Sequence, residues 1–63
     1  MPNEALAALV HDLRAPLTVV EGFSDLLARR GGQLEQSERD EYLGRIAAAA
    51  REMRELLDRA TLR

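Results

Sequence analysis

A chain of 63 residues without cysteine has no disulfides and buries too small a share of its surface to be robust alone, and a single histidine argues against a dedicated zinc site; self-association is the route to stability that is left. Nine basic against eleven acidic residues give a net charge of −2, without the basic face a nucleic-acid binder needs. No apolar run approaches the roughly 20 residues of a membrane span, and the N-terminus lacks a secretory signal pattern.

Asn3 is placed to cap a first helix, with Glu4 in the opening turn, where the helix dipole favours an anion. Apolar residues then recur at Leu6, Val10, Leu13, Leu17, Val20 and Leu27, with Ser24 filling the gap, at alternating spacings of four and three. That is a heptad seam. A second stripe of Leu9, Pro16 and Phe23, with Leu26 beside it, makes the apolar face wider than a two-stranded coiled coil uses. Such width suits a helix inside a multi-helix bundle. The pattern predicts this helix over about residues 3–30. Arg29 and Arg30 complement the negative end of its dipole, and Gly31-Gly32 can take the left-handed conformation that terminates helices.

The connection, about residues 31–36, is short, so the flanking helices are antiparallel neighbours, with Leu34 folded back onto the bundle end. The second helix is predicted from Ser37, over about residues 37–62, with Ser37 and Asp40 as a shortened capping box and Glu38, Asp40 and Glu41 at the positive end of the dipole. Its seam reads Leu43, Ile46, Ala50, Met53, Leu57 and Ala60, with Tyr42, Ala49 and Leu56 alongside. Arg45, Arg51, Glu52, Arg54, Glu55, Asp58 and Arg59 read as a solvated face with weak pairs four residues apart. The run Ala47-Ala48-Ala49-Ala50 favours a helix and lets a neighbour approach closely, while Gly44 either marks a close contact or is a tolerated weakness of about 1 kcal/mol.

No strand pattern and no internal repeat interrupts this. The fold class is all-α: residues 1–63 form one domain, an antiparallel helical hairpin. A hairpin has only two apolar faces and encloses no core, whereas two copies form a four-helix bundle as a homodimer. The opening Met-Pro-Asn and the end at Leu62-Arg63 look like cuts in a longer protein.

The chemistry is concentrated in His11-Asp12-Leu13-Arg14-Ala15-Pro16-Leu17, which holds the one histidine of the chain. His11 follows Val10 of the seam by one residue, about 100° around the helix, and so faces water. Its neighbours one turn away are Ala7, Ala8 and Ala15, all small, which leaves the ring open to another protein. Free imidazole titrates near pH 6.5, so an exposed histidine is a competent nucleophile around neutrality. Asp12 is the candidate acid-base partner for the second ring nitrogen. Adjacent residues do not normally face each other on a helix, so both side chains would have to lean along the surface to meet. Arg14 and Thr18 are the candidates for contact with a phosphate or a partner. Pro16 lacks an N–H and clashes with the carbonyl of Asp12, at about 3 kcal/mol, which points to a helix bend beside the nucleophile. The bland alternative is that Pro16 ends one helix and starts another.

The stretch His11-Asp12-Leu13-Arg14-Ala15-Pro16-Leu17-Thr18, with Val20, Gly22-Phe23 and Leu26-Leu27 beyond it, closely resembles the H-box of sensor histidine kinases. Helix 2 resembles the less distinctive second half of the same dimerisation and histidine-phosphotransfer domain. The resemblance implies that His11 is a phosphoacceptor. An ATP-binding catalytic domain would supply the phosphoryl group, and an aspartate of a response regulator receiver domain would take it. It implies that Asp12 is the acid-base partner and Pro16 the bend between signalling states. No cofactor is then expected on this segment, since ATP and Mg would be held by the separate kinase domain; the sequence itself has no Gly-rich phosphate loop and no acidic metal site. The expected partners are a second copy, the kinase domain and a receiver domain, with no nucleic acid and no direct membrane contact. The expected location is cytoplasmic, any membrane anchor lying elsewhere in a full-length protein. Ala15 departs from the family pattern, which has Thr or Asn there. In the family that polar group is associated with dephosphorylating the regulator, and alanine neither donates nor accepts a hydrogen bond. The competing reading is a dimerising helical scaffold that transmits signals without chemistry.

Overall fold

In a computed structural model the chain forms α1 (Pro2–Arg30), one 3₁₀ turn (Gly31–Gln33) and α2 (Gln36–Thr61). The structure describes residues 2–61, and side chains from residue 4 to residue 60. The helices lie side by side and antiparallel. The pair is 49 Å long and 11 Å in its thinnest direction, so it is a single layer.

The contact between the helices uses one set of 3-4 spacings on each. On α1 the half-buried or buried residues are Leu9, Leu13, Pro16, Val20, Phe23 and Leu27, and on α2 they are Arg39, Tyr42, Ile46, Ala49, Met53 and Leu56. The second stripe, Leu9-Pro16-Phe23, is therefore the one that meets α2. The seam is split by the fold: Leu13, Val20 and Leu27 are half-buried, whereas Leu6, Val10 and Leu17 remain 59%, 43% and 42% exposed. On α2 the same division leaves Leu43 and Leu57 at 54% and 45%. A pair of helices buries one flank of each apolar stripe and leaves the other flank bare.

Packing is closest around Pro16 and Ala49, the two buried residues among those described. Ala49 has no side chain beyond Cβ, which makes room for the proline ring. Toward the connection, the Phe23 and Tyr42 rings pack tilted with centroids 5.0 Å apart, and the Arg45 guanidinium lies 5.9 Å from the Phe23 centroid, within cation–π range.

Both ends of the connection are built differently from the sequence expectation. No described residue, glycine included, has positive φ, so Gly31-Gly32 do not form the left-handed terminator. Instead α1 tightens into the 3₁₀ turn, where the Leu34 N–H donates to the Gly31 carbonyl at 3.4 Å. A side chain adds further hydrogen bonds to carbonyls of the turn. Arg39 Nη1 donates to the Gly31 carbonyl at 3.0 Å and also to the Leu34 carbonyl. The cap of α2 sits two residues before Ser37: the Glu35 N–H donates to Glu38 Oε1 at 3.1 Å, and the Glu35 carbonyl accepts from the Arg39 N–H at 3.0 Å. Glu38 has the reach to bond an N–H three residues back, and Asp40 is one methylene shorter. Leu34 is half-buried against this end of the hairpin. At the other end, α1 already begins at Pro2, so Asn3 lies inside the helix, and its side chain is outside the described residues. Gly44 makes no close contact: a Cβ there would meet nothing within 4 Å. Among the described residues no helix is long and apolar enough to cross a membrane.

Candidate functional site

His11 stands in the second quarter of α1, exposed, with Ala7, Ala8 and Ala15 exposed around it. The helical step of about 100° per residue then sends its neighbours to opposite sides. Asp12 lies on the edge of the groove between the helices, where it shares walls with Leu9, Leu56 and Arg59. Arg14 turns the other way, onto the bare apolar flank beside Val10, Leu13 and Leu17. No hydrogen bond joins His11 to Asp12, so the structure does not bring the expected acid-base pair together. The reason is the one that applies to any adjacent pair on a helix: their side chains diverge.

Pro16 does not end a helix, because α1 runs unbroken from Pro2 to Arg30. Its position on the inner face explains its burial. Its missing N–H leaves the Asp12 carbonyl without a helical donor. Two residues on, the Thr18 hydroxyl donates to the Arg14 carbonyl at 2.9 Å, a local bond that competes with regular helix pairing and commits the hydroxyl proton. Ala15 opens onto the groove next to Pro16, opposite Ala49 and Glu52. No three His, Cys, Asp or Glu side chains among the described residues converge as a possible metal set.

The seven charged residues read as the solvated face of α2 are all exposed. Exposed pairs four residues apart do form, Arg45 with Glu41 at 3.4 Å and, on α1, Arg29 with Asp25 at 3.0 Å, and each contributes little. However, Arg45, Glu52 and Arg59, seven residues apart, line the interhelical groove below and beside His11. Arg39 was also hidden by its charge. Extending the inward series Tyr42, Ile46, Ala49, Met53, Leu56 backward by three residues lands on it.

The imidazole stands on an exposed helical face among alanines, outside any closed cavity. The family model of the His Kinase A (phospho-acceptor) domain matches residues 2–62, and the chain belongs to that family, the phosphoacceptor part of sensor histidine kinases. No curated protein and no solved structure matches the chain.

Proposed function

We propose that His11 is the phosphoacceptor of this domain and passes its phosphoryl group to an aspartate of a response regulator. The observation that carries this reading is the exposure of His11 among three alanines in a chain of the phosphoacceptor family. One ring nitrogen attacks the γ-phosphorus of ATP held with Mg by a separate catalytic domain. The bond from that phosphorus to the β–γ bridging oxygen breaks, and ADP leaves with the electron pair. The proton on the other ring nitrogen passes to Asp12, which must swing out of the groove to receive it. In the second step a regulator carboxylate oxygen attacks the phosphorus, the N–P bond breaks with its electron pair returning to the ring, and Asp12 gives its proton back to the other ring nitrogen. The convex surface supplies no walls of its own, so the kinase and receiver domains exclude water in turn.

The working unit of this reading is a homodimer. A compact protein of 7.0 kDa exposes about 4,000 Å² by the usual mass scaling, and this hairpin exposes 5112 Å². The excess of about 1,100 Å² compares with the roughly 800 Å² that each partner buries in a standard interface. It coincides with the bare flank of Leu6, Val10, Leu17, Leu43 and Leu57. A second hairpin laid on that flank completes a four-helix bundle and leaves His11 outside. Such a unit acts in the cytoplasm, where ATP and receiver domains are found. With Ala15 in place of a polar residue, it has weak phosphatase activity toward the regulator.

The test is incubation of the chain with its cognate ATP-binding domain and ATP. Acid-labile, base-stable phosphate on His11, absent in His11→Ala, is the expected result. Labelling that persists in His11→Ala overturns the assignment, and no labelling of the wild type favours a scaffold that only dimerises.

A further inference from the structure

The proposed chemistry asks Asp12 to serve the His11 ring, yet the fold turns Asp12 toward α2. The groove that receives it is walled by Ala5, Ala8, Leu9, Leu56, Ala60 and Arg59. Five of these six are alanine or leucine and offer a carboxylate neither a donor nor a charge. Among the described residues Arg59 is the one cation lining that stretch with Asp12, and it lies in the last turn of α2. The next stretch of groove holds Glu52, which repels Asp12 rather than competing for it. No ion pair between Asp12 and Arg59 is closed in this structure, and no hydrogen bond joins Asp12 to His11. The carboxylate thus stands between two suitors, an imidazole on the open flank and a guanidinium across the groove. The backbone beneath it lacks one helical hydrogen bond, because Pro16 deprives the Asp12 carbonyl of its donor.

We propose that Arg59 is a positioning residue that competes with His11 for the Asp12 carboxylate and so sets the reactivity of the phosphoacceptor. When Arg59 draws Asp12 into the groove, the ring has no proton acceptor and is a poor nucleophile. When the last turn of α2 moves away from α1, Asp12 is released to the ring. The competition is an electrostatic latch: a relative shift of the two helices at this level changes chemistry at His11 without touching the histidine. The inference rests on the reading of His11 as phosphoacceptor, and its test contains one measurement that does not.

That measurement is ¹⁵N NMR of the His11 ring in the full chain, which reports the balance of its two neutral tautomers. Arg59→Gln is expected to enrich one tautomer, the form whose N–H faces Asp12, and Arg59→Lys to restore the wild-type balance. In an Asp12→Asn background the same Arg59→Gln change should do nothing. The second measurement is phosphorylation by phosphoramidate, a small donor that needs no kinase domain: the ring nitrogen bonds to phosphorus, the P–N bond of the nitrogen-protonated donor breaks, neutral ammonia leaves, and the proton of the other ring nitrogen goes to Asp12. Arg59→Gln should raise this rate roughly three- to tenfold, part of the 10²–10⁴ that a well-placed general base contributes. An unchanged tautomer balance in Arg59→Gln, or an equal change in the Asp12→Asn background, overturns the latch. A slower reaction in Arg59→Gln also overturns it, since it makes Arg59 a phosphate contact. A wild type that accepts no phosphoryl group from any donor overturns the phosphoacceptor reading, while the tautomer comparison still decides the role of Arg59.

Discussion

His11, Asp12 and Ala15 show how much one helical step decides. His11 takes the open flank, and a rotation of about 100° puts Asp12 at the groove edge. Adjacency in the sequence is therefore not adjacency in space, and the carboxylate needs a rotamer change before it can handle the ring proton. Replacing His11 by Ala should remove all acid-labile label and leave the far-ultraviolet circular dichroism unchanged, because the ring packs against nothing. The proposed weak phosphatase activity rests on Ala15, which lines the groove beside Pro16 without a polar group. Ala15→Thr should speed dephosphorylation of the phosphorylated regulator by roughly tenfold, the scale of a single added positioning contact. Rapid phosphate loss already catalysed by the wild type would contradict the role given to Ala15.

At the scale of the elements, the informative part is the connection. Its sequence signals, two glycines and Ser37, point to a left-handed terminator and a serine cap, and both were replaced by longer side chains. Arg39 satisfies two carbonyls at once, and Glu38 reaches back to Glu35. Hydrogen bonds to charged groups contribute about 1.5–3 kcal/mol, so Arg39→Met should destabilise the hairpin by about 2 kcal/mol. Urea unfolding should show this as a lower midpoint at an unchanged slope. Gly44 offers the opposite change. It is helical, exposed and free of close contacts, so Gly44→Ala should stabilise α2 by up to about 1 kcal/mol. The helices themselves were legible from the 3-4 spacing of leucines. The cap was not, because whether Arg39 meets a carbonyl depends on where the chain turns, and no local pattern encodes that.

The whole molecule is a layer with one satisfied flank. Burying a leucine contributes about 1.5–3 kcal/mol, so introducing a charge at Leu17 and Leu57 together should weaken self-association by a factor of roughly 10² or more. Sedimentation of Leu17→Asp/Leu57→Asp is expected to show a monomer where the wild type is a dimer. The melting temperature of the wild type should rise with concentration and that of the variant should not. A wild-type chain that sediments as a monomer at all concentrations would contradict the dimeric reading.

Two amphipathic helices, the short link between them and a nucleophilic stretch around His11 follow from the sequence by itself, because periodicity and residue chemistry are local properties. So does the excess of apolar surface over what one hairpin buries. The tertiary structure alone decided which stripe meets the partner helix. Leu9, Pro16 and Phe23 face α2 while Leu6, Val10 and Leu17 stay exposed, and the proline ring packs beside the small Ala49. The same choice of face turned Asp12 toward Arg59 and away from His11. Rotation of a helix about its axis is fixed by packing against its neighbour, and the chemistry at the surface follows from that rotation.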